Sequence, residues 1–554
     1  MAVPVPEEQL VRRLEPDDST LTDLPAFLGP PDEVSPDEVS PDAASPDEAP
    51  FARLECVDRV AANQVFSLRV GLSGQRQHGV VGDRLTLTSE TLRTPYTLSV
   101  HVLFDGFVLE PGSSAELELV VIPGQPFPEH EIRLRALTGD LAAGRSILAV
   151  YKLAGQILGV ASRSVVVEPA GTPVVARSLA SGSDVAVDAT DDVPDLTLVI
   201  ARGDAPGETG LMWTWTSPHA AVRPAPERLV SSLGDRPQDF LKRVIRYFDQ
   251  PRASAVALRY VAGVGKQIAD VMPAPVRAAL DSLAGVAEQQ GRPAHVLLVT
   301  QEAYVPWELV WLPEAWDPQR PQFLGAQAVV GRWTLSERKR FPPPSAHVVQ
   351  AMAVVSGAYE AVPGWQRLEE AEAEAADLVS AWAGVPVNAS TEEVLDCLGG
   401  LPPADVIHFA VHGRYDPTGQ EDGLVLVDGE MLDPLLVRGE QLAAGPLVFL
   451  NACQVGAGDA MLGDVAGLAD AFLDAGACAV IAPLWAVDDR IARDIAARFY
   501  RAVFQDGVQP ADFFRDERQY GRPGTDVPET HLAYLFFGHP RLGVTRLARE
   551  ALDA

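Results

Sequence analysis

LVFLNACQVG, residues 447 to 456, joins a fully apolar run to a cysteine and a glycine turn. Such a run is typical of a strand buried on both faces, as in the parallel sheet of an α/β domain. A buried cysteine needs no functional explanation, because it behaves as a small hydrophobe. Cys453, however, stands where the strand is expected to end and the backbone to turn, so its thiol is a candidate nucleophile.

The same pattern continues through residues 195–554, where apolar strands alternate with amphipathic helices. The expected strands are DLTLVIARG, GLMWTWTS, HVLLVT, AQAVVGRW, VVQAMAVVS, DVIHFAV, PLVFLN and CAVIAPLW. The expected helices are DFLKRVIRYFDQ, LEEAEAEAADLVSAWA, VAGLADAFLDAG and DDRIARDIAARFYRAVF. This alternation predicts a C-terminal α/β domain with a mainly parallel sheet.

A second strand, VIHFAVHG (406–413), ends at His412 and Gly413. Ligands of open α/β sheets bind beyond the carboxyl ends of strands, so His412 and Cys453 face each other if their strands are neighbours. The imidazole would then take the thiol proton and return it to the leaving amine. Gly413 and the turn around Cys453 would also let two backbone N–H groups approach a carbonyl closely and form an oxyanion hole. His408 lies within the apolar run, and we interpret it as a core histidine or a partner of the site.

The N-terminal part of the chain has a different composition. Residues 1–50 hold 13 acidic and 2 basic residues and the repeat PDEVS-PDEVS-PDAAS-PDEA, which predicts an extended, disordered acidic tail. Residues 51–169 contain short alternating segments separated by Gly, Pro, Asp and Ser, a pattern typical of a β-sandwich used for recognition or scaffolding. Residues 170–194 have the composition of a linker.

The overall composition limits the possible functions. The 554 residues carry a formal charge of -32, which disfavours direct binding to nucleic acid or to anionic membrane surfaces. Cys56, Cys397, Cys453 and Cys478 are scattered, with neither disulfide-scaffold nor zinc-site spacing. YVAGVGKQ (260–267) lacks the first glycine and the Ser/Thr of a P-loop. We expect a cytoplasmic protein without a cofactor, a metal or a membrane segment.

HFAVHG, LVFLNACQVG, DVAGLADAFLDAGACAVIAPLWAVDD and the closing HLAYLFFGHPRL, in this order, resemble the CHAT family of caspase-like cysteine peptidases. VPWELVWLP (305–313) is similar to the family's early PWE element. The resemblance covers about residues 195–554. It implies a caspase-hemoglobinase-like fold, a His412–Cys453 dyad, and oxyanion donors at the backbone of Gly413 and Cys453.

The resemblance further implies a cysteine endopeptidase that cleaves protein substrates, regulated as an effector in bacterial antiviral defence or programmed cell death. Its expected partners are a protein substrate and a protein activator or sensor, bound through the β-sandwich or the acidic tail. Caspase-like relatives often carry an acidic residue near the nucleophile, but Asn451 and Ala452 precede Cys453 here. Asp488 is the substitute candidate for binding a basic substrate residue. Asp488 or Asp489 also begins the next helix and would be a good N-cap, which we favour for Asp488, although it could serve both purposes.

Two other functions use the same residues. In the first, the α/β domain is a catalytically silent caspase-like scaffold or binding module. In the second, the His–Cys pair transfers an acyl group instead of hydrolysing a peptide bond.

Overall fold

The computed structural model describes most of the chain after residue 49. The described residues are 50–74, 87, 89–104, 106–138, 144–154, 156–170, 192–203, 209–223, 229–245, 253–335, 343–360, 362–414, 423–442, 444–453, 465–485 and 487–547. The expected acidic tail, apart from Pro50, and the central part of the expected linker lie outside them. None of the helices in this described part has the length and apolar character that crossing a bilayer requires.

Two β-sheets pack face to face in the N-terminal part. Their strands are β1 (Phe51–Glu55), β2 (Arg59–Ala61), β3 (Val65–Ser73), β4 (Tyr96–Phe104), β5 (Phe107–Leu109), β6 (Glu116–Val121), β7 (Glu129–Ala136), β8 (Gly144–Leu153) and β9 (Gln156–Glu168), with a short helix α1 (Ser89–Leu92). One sheet has the order β1-β3-β7-β5 and the other β2-β9-β8-β4-β6. Leu54, Leu68, Leu98 and Leu119 come from both sheets and share one apolar core. The alternating pattern therefore correctly predicted a β-rich N-terminal part.

The C-terminal part is a mixed α/β structure. Its strands are β10 (Leu196–Gly203), β11 (Gly210–Thr216), β12 (Leu229–Ser232), β13 (His295–Thr300), β14 (Val329–Thr334), β15 (Ala346–Val349), β16 (Met352–Ser356), β17 (Val385–Asn388), β18 (Val406–Arg414), β19 (Gly423–Val425), β20 (Met431–Leu432), β21 (Leu447–Cys453), β22 (Ala479–Pro483), β23 (Tyr534–Phe537) and β24 (Gly543–Arg546). Its helices are α2 (Pro237–Ile245), α3 (Ser254–Val271), α4 (Ala274–Gln290), α5 (Leu324–Gln327), α6 (Glu369–Trp382), α7 (Thr391–Leu398), α8 (Pro434–Gly439), α9 (Val465–Asp474), α10 (Asp489–Phe504), α11 (Pro510–Glu517) and α12 (Thr530–Ala533). The prediction of an α/β C-terminal region is confirmed.

One large sheet runs through this part in the order β12-β11-β10-β13-β14-β23-β22-β21-β18-β16-β17, and β19 and β20 extend it from β18. β23 is parallel to β14 but antiparallel to β22. The strands on its two sides therefore run in opposite directions. As a result, the carboxyl ends of β18 and β21 lie at one edge of the sheet, and those of β10, β13 and β14 lie at the other.

Three details of the sequence-based assignment were wrong. α3 and α4, two consecutive helices, were not expected at all. The first residues of AQAVVGRW belong to α5, and VVQAMAVVS is divided between β15 and β16. β15 pairs with β24 and stands apart from the large sheet.

A packed interface joins the two β-sheets of the N-terminal part to the α/β part. Leu103 and Val150, from the five-stranded sheet, belong to the same apolar cluster as the core of the large sheet. His101 Nδ1 lies 2.8 Å from Thr214 Oγ1, and Lys152 Nζ donates to the same oxygen at 3.3 Å. Burial lowers the pKa of His101 to about 3 and that of Lys152 to about 8. The interface therefore combines apolar packing with a hydrogen-bonded polar centre.

Asp195 ties the beginning of the α/β part to distant segments. Its buried carboxylate accepts two hydrogen bonds from Arg292 at 2.7 and 2.8 Å, and one from the His295 backbone N–H at 2.9 Å. His219 Nε2 lies 2.8 Å away, and Arg541 approaches to 3.4 Å. Burial alone would raise the pKa of this carboxyl group, but the hydrogen bonds from His295 and Arg292 outweigh it and hold the pKa well below its usual range.

Replacing Asp195 with asparagine is expected to lower the free energy of unfolding by about 3 kcal/mol at pH 7, because the surrounding cations lose a buried carboxylate. Since the folded-state pKa is depressed, this contribution is complete above the unfolded pKa of about 3.9 and is lost only as the pH falls below that value. Urea unfolding should therefore show that the difference between the wild type and the variant does not shrink between pH 7 and pH 5.

Asp239→Asn is the matched control, because Asp239 forms an exposed pair with Arg236. Its effect is expected to stay within about 0.5 kcal/mol. Equal effects of the two substitutions would contradict the structural role of Asp195.

Candidate functional site

The strands that carry the two expected reactive residues are parallel neighbours. β18 and β21 pair from Val406 opposite Leu447 to His412 opposite Cys453. Neighbouring strands lie about 4.8 Å apart, so the backbones of His412 and Cys453 are adjacent at the carboxyl end of both strands. The structure thus brings the two residues together, as their positions at strand ends suggested.

The His412 ring is fully buried in a cage of three neighbours. Its Nε2 lies 2.7 Å from the backbone carbonyl oxygen of Gln366. The rings of Tyr359 and Trp365 lie 4.6 and 4.8 Å from the imidazole, measured between centroids. Because a carbonyl oxygen can only accept, Nε2 must carry a proton. In the neutral imidazole, Nδ1 is then the basic nitrogen, and the hydrogen bond of Nε2–H to Gln366 fixes the orientation of the ring.

The strand β19, which pairs with β18, also fixes the position of Tyr359 beside His412. His412 is paired with Val425, and Gly413 with Leu424 of β19. The Tyr359 hydroxyl donates to the carbonyl oxygen of Val425 at 2.7 Å. Burial raises the pKa of Tyr359 well above its ordinary value, so this hydroxyl stays protonated and remains a donor. Gly413, an expected oxyanion donor, lies one residue beyond the last pair between β18 and β21.

A buried polar network lies closer to the amino ends of β18 and β21 than the His412–Cys453 pair does. The imidazole of His408 lies between the Tyr500 hydroxyl, 3.0 Å from Nδ1, and the Glu374 carboxylate, 2.8 Å from Nε2. The same carboxylate accepts from Asn451 Nδ2 at 2.7 and 3.0 Å. Tyr534 donates to Asn451 Oδ1 at 2.6 Å. His408 is therefore a core histidine, and Glu374 is the partner that sequence reasoning missed.

Asp488 stands at the start of α10, after β22, the strand that pairs with β21 in parallel. Its carboxylate accepts from the backbone N–H of Ile491 at 3.0 Å, so it caps the helix. The side chain is also exposed, at the same sheet edge as the end of β21. Asp488 is therefore an N-cap of α10 whose side chain is exposed at this edge of the sheet.

The PWE element, Pro306 to Glu308, has a structural role, because Glu308 forms a buried ion pair with Arg332. Glu308 and Arg332 are both fully buried, and their carboxylate and guanidinium meet at 2.6 and 3.2 Å. Arg332 also donates to the carbonyl oxygens of Ala303 and Val305. Arg332 lies in β14, three strands away from β21. The element therefore orders the other half of the sheet and does not contribute to the His412–Cys453 pair.

Cys56, Cys397 and Cys478 are buried free thiols. Burial raises their pKa to about 11 for Cys56 and Cys397 and to about 12 for Cys478. At neutral pH these thiols hold a negligible thiolate fraction. They therefore form an inert background against which the reactivity of Cys453 can be measured.

Two other expectations concern bound groups. Across the residues that the structure describes, no cluster of three or more His, Cys, Asp or Glu side chains is arranged to hold a metal ion. The segment YVAGVGKQ lies in the middle of α3, and the Lys266 ammonium lies 5.6 Å from the centre of the Trp311 ring. A helix interior does not offer the loop that cradles a phosphate chain, in keeping with the departures of this segment from the P-loop motif.

Comparison with known proteins supports the resemblance seen in the motifs. The model of the CHAT domain family matches residues 262–523, which include both β18 and β21. No curated protein matches the chain. Residues 262–523 of this chain are therefore similar to the CHAT domain, whose family is related to the caspase-like peptidases.

Proposed function

We propose that this protein is a cysteine endopeptidase with Cys453 as nucleophile and His412 as general base. The observation that carries the proposal is the in-register pairing of His412 with Cys453 at the end of adjacent parallel strands. The match to a peptidase-related family and the hydrogen bond that orients His412 support it. The fold that goes with this function is of the caspase-hemoglobinase type.

The reaction begins with transfer of the Cys453 thiol proton to His412 Nδ1. The thiolate attacks the carbonyl carbon of the scissile peptide bond, and the backbone N–H groups of Gly413 and Cys453 bind the resulting oxyanion. When the intermediate collapses, the C–N bond breaks and the imidazolium gives its proton to the leaving amine. Water, deprotonated by His412, then hydrolyses the acyl-thioester and regenerates the thiol.

The Gln366 carbonyl oxygen takes the role of an orienting group in this scheme. It accepts from Nε2–H at 2.7 Å and lies opposite the nitrogen that exchanges protons with the thiol. When the imidazole becomes protonated, this oxygen also interacts favourably with the new positive charge. A main-chain oxygen thus supplies what the Asp or Asn side chain supplies in Ser-His-Asp and Cys-His-Asn triads.

Full burial of His412 supports regulation of the activity. The ring is enclosed by Tyr359 and Trp365, so a substrate reaches it only after a local rearrangement. Binding of a protein activator or sensor to the β-rich part or the acidic tail would favour the open state. We propose a cytoplasmic effector protease, switched on by such a partner, in bacterial antiviral defence or programmed cell death.

Intact-mass labelling with an electrophilic thiol reagent between pH 5 and pH 9 tests the dyad. Cys453 is expected to react at least about tenfold faster at pH 7 than the other three thiols, because burial suppresses their thiolate forms. Cys453→Ala should abolish the fast phase, and His412→Ala should slow it. His130→Ala, in the β-rich part, is the control and should leave the rate unchanged.

If Cys453 reacts no faster than the other thiols, labelling is repeated in host lysate, where an activator is present. A slow thiol there as well would contradict the peptidase proposal and leave the silent scaffold. Product analysis after activation separates hydrolysis from acyl transfer to another acceptor.

Asp488 is the proposed binding site for a basic substrate residue on the amino side of the cleaved bond. Asp488→Asn retains a helix cap, since asparagine caps as well as aspartate, but removes the charge. We expect kcat/KM for substrates with Arg or Lys at that position to fall about tenfold to a hundredfold, the value of a hydrogen bond to a charged group. The melting temperature should not change.

Asp494→Asn is the matched control on the same helix, because Asp494 forms an exposed pair with Arg498. An equal loss of kcat/KM in both variants, or none in Asp488→Asn, would show that Asp488 only caps α10.

A further inference from the structure

Glu374 occupies an unusual position for a carboxylate. It lies on α6, whose other acidic residues are exposed or half-buried, yet only 4% of its own surface is accessible. The neighbouring acids on α6 have ordinary surface roles: Glu370 and Asp377 pair with Arg493 of α10 at 2.8 and 2.7 Å. A buried carboxylate is costly unless its oxygens are hydrogen-bonded, so the contacts of Glu374 require an explanation.

The Glu374 carboxylate bridges the two strands of the proposed dyad. One oxygen lies 2.8 Å from His408 Nε2 on β18 and 2.7 Å from Asn451 Nδ2 on β21. The other oxygen lies 3.0 Å from the same Asn451 nitrogen. His408 and Asn451 are not a register pair, since Asn451 is opposite Ala410. The carboxylate therefore fixes the two strands diagonally, in addition to their backbone ladder.

The groups on either side of the bridge add further hydrogen bonds. The Tyr500 hydroxyl on α10 meets His408 Nδ1 at 3.0 Å, and the Tyr534 hydroxyl on β23 donates to Asn451 Oδ1 at 2.6 Å. The Glu374 carboxylate and His408 Nε2 are in close polar contact at 2.8 Å, but their geometry is not that of a hydrogen bond. Burial, reinforced by the charge of Glu374, raises the pKa of Tyr500 well above its ordinary value, so its hydroxyl remains protonated. Buried polar contacts of this kind favour one defined arrangement of the segments that they join.

The bridged residues lie next to the reacting ones. His408 precedes His412 by four residues on β18, and Asn451 precedes Cys453 by two on β21. Gln366, whose carbonyl oxygen accepts from His412, lies three residues before the start of α6. A single side chain thus holds the three backbone segments that supply the nucleophile, the base and the group that orients the base.

We propose that Glu374 is a positioning residue that sets the relative placement of the Gln366 carbonyl, His412 and Cys453 without touching a reacting atom. The inference rests on the proposed peptidase function. A shift of about 1 Å between reacting groups can cost a hundredfold in rate, so a bridge of this kind has a kinetic effect even when the fold survives its loss.

The test compares Glu374→Ala, Glu374→Gln and Asn451→Ala with the wild type in the full-length protein. Glu374→Gln retains a carbonyl oxygen that can accept from Asn451, but it removes the charge that faces His408. Glu370→Ala is the matched control, since it removes an exposed carboxylate from the same helix. Two quantities are measured: the rate of Cys453 alkylation by iodoacetamide against pH, and the ¹⁵N chemical shifts of the His412 imidazole, assigned with His412→Ala.

We expect the alkylation rate at pH 7 to fall about tenfold to a hundredfold in Glu374→Ala, with a smaller loss in Glu374→Gln and none in Glu370→Ala. The Nε2–H signature of His412 should be present in the wild type and Glu374→Gln and lost or averaged in Glu374→Ala. Asn451→Ala should resemble Glu374→Ala, and the double variant should be no slower than either single variant, because both break one bridge.

The outcomes separate this inference from the function on which it rests. Fast labelling of wild-type Cys453 together with unchanged rates and unchanged His412 shifts in the Glu374 variants would overturn the positioning role alone. Slow labelling of the wild type would overturn the dyad, and the His412 shifts would then decide the positioning role by themselves. If Glu374→Ala does not fold, Glu374→Gln and Asn451→Ala decide: wild-type behaviour in both overturns the inference.

Discussion

The parallel pairing of β18 with β21 is the constraint on which the proposed chemistry depends. Seven residue pairs set the register, and the last pair is His412 with Cys453. A slip of one residue would move every side chain of one strand to the opposite face of the sheet. The backbone hydrogen bonds between the two strands therefore have to keep the same register from the first pair to the last. The buried contacts of Glu374, His408 and Asn451 act on the same two strands from one face, so packing and pairing reinforce one register.

Two groups of residues pack around β18 and β21, and they have different effects. Towards the amino ends of β18 and β21, apolar side chains and the polar contacts of Glu374 hold the two strands in place. At the proposed dyad, Tyr359 and Trp365 cover His412, and the Tyr359 hydroxyl donates a hydrogen bond to β19. In the proposed function, the first group of contacts would place the reactive groups and the second would limit access to them.

Much of this arrangement could be predicted from apolar runs and their ends. VIHFAVHG and LVFLNACQVG were identified as strands that carry a base and a nucleophile, and DDRIARDIAARFYRAVF as a helix with an aspartate at its start. α3 was missed because its Gly263 and Gly265 weaken a helical pattern and suggest a loop. In the structure, Gly265 is required because a Cβ there would collide with the carbonyl oxygen of Leu309. The glycine reflects a close packing contact and not a phosphate site.

The other residues of the site could not be identified from one amino-acid sequence. Gln366 contributes a main-chain oxygen, which any residue type would supply. Glu374 is one of several acids in LEEAEAEAADLVSAWA, and only tertiary packing distinguishes it from its exposed neighbours. The partnership of Glu308 with Arg332 likewise depends on a fold that brings together residues in different elements.

The position of β23 has a consequence for the order in which the protein can assemble during synthesis. This strand, residues 534–537, lies between β14 and β22 in the middle of the large sheet, although it follows both of them in the chain. Until β23 has been synthesised, the two halves of the sheet are not joined, and Asn451 lacks the hydroxyl of Tyr534. The sheet that supports the proposed dyad is thus completed only after β23 has been added, which delays assembly of the proposed proteolytic site until all the strands that support it exist.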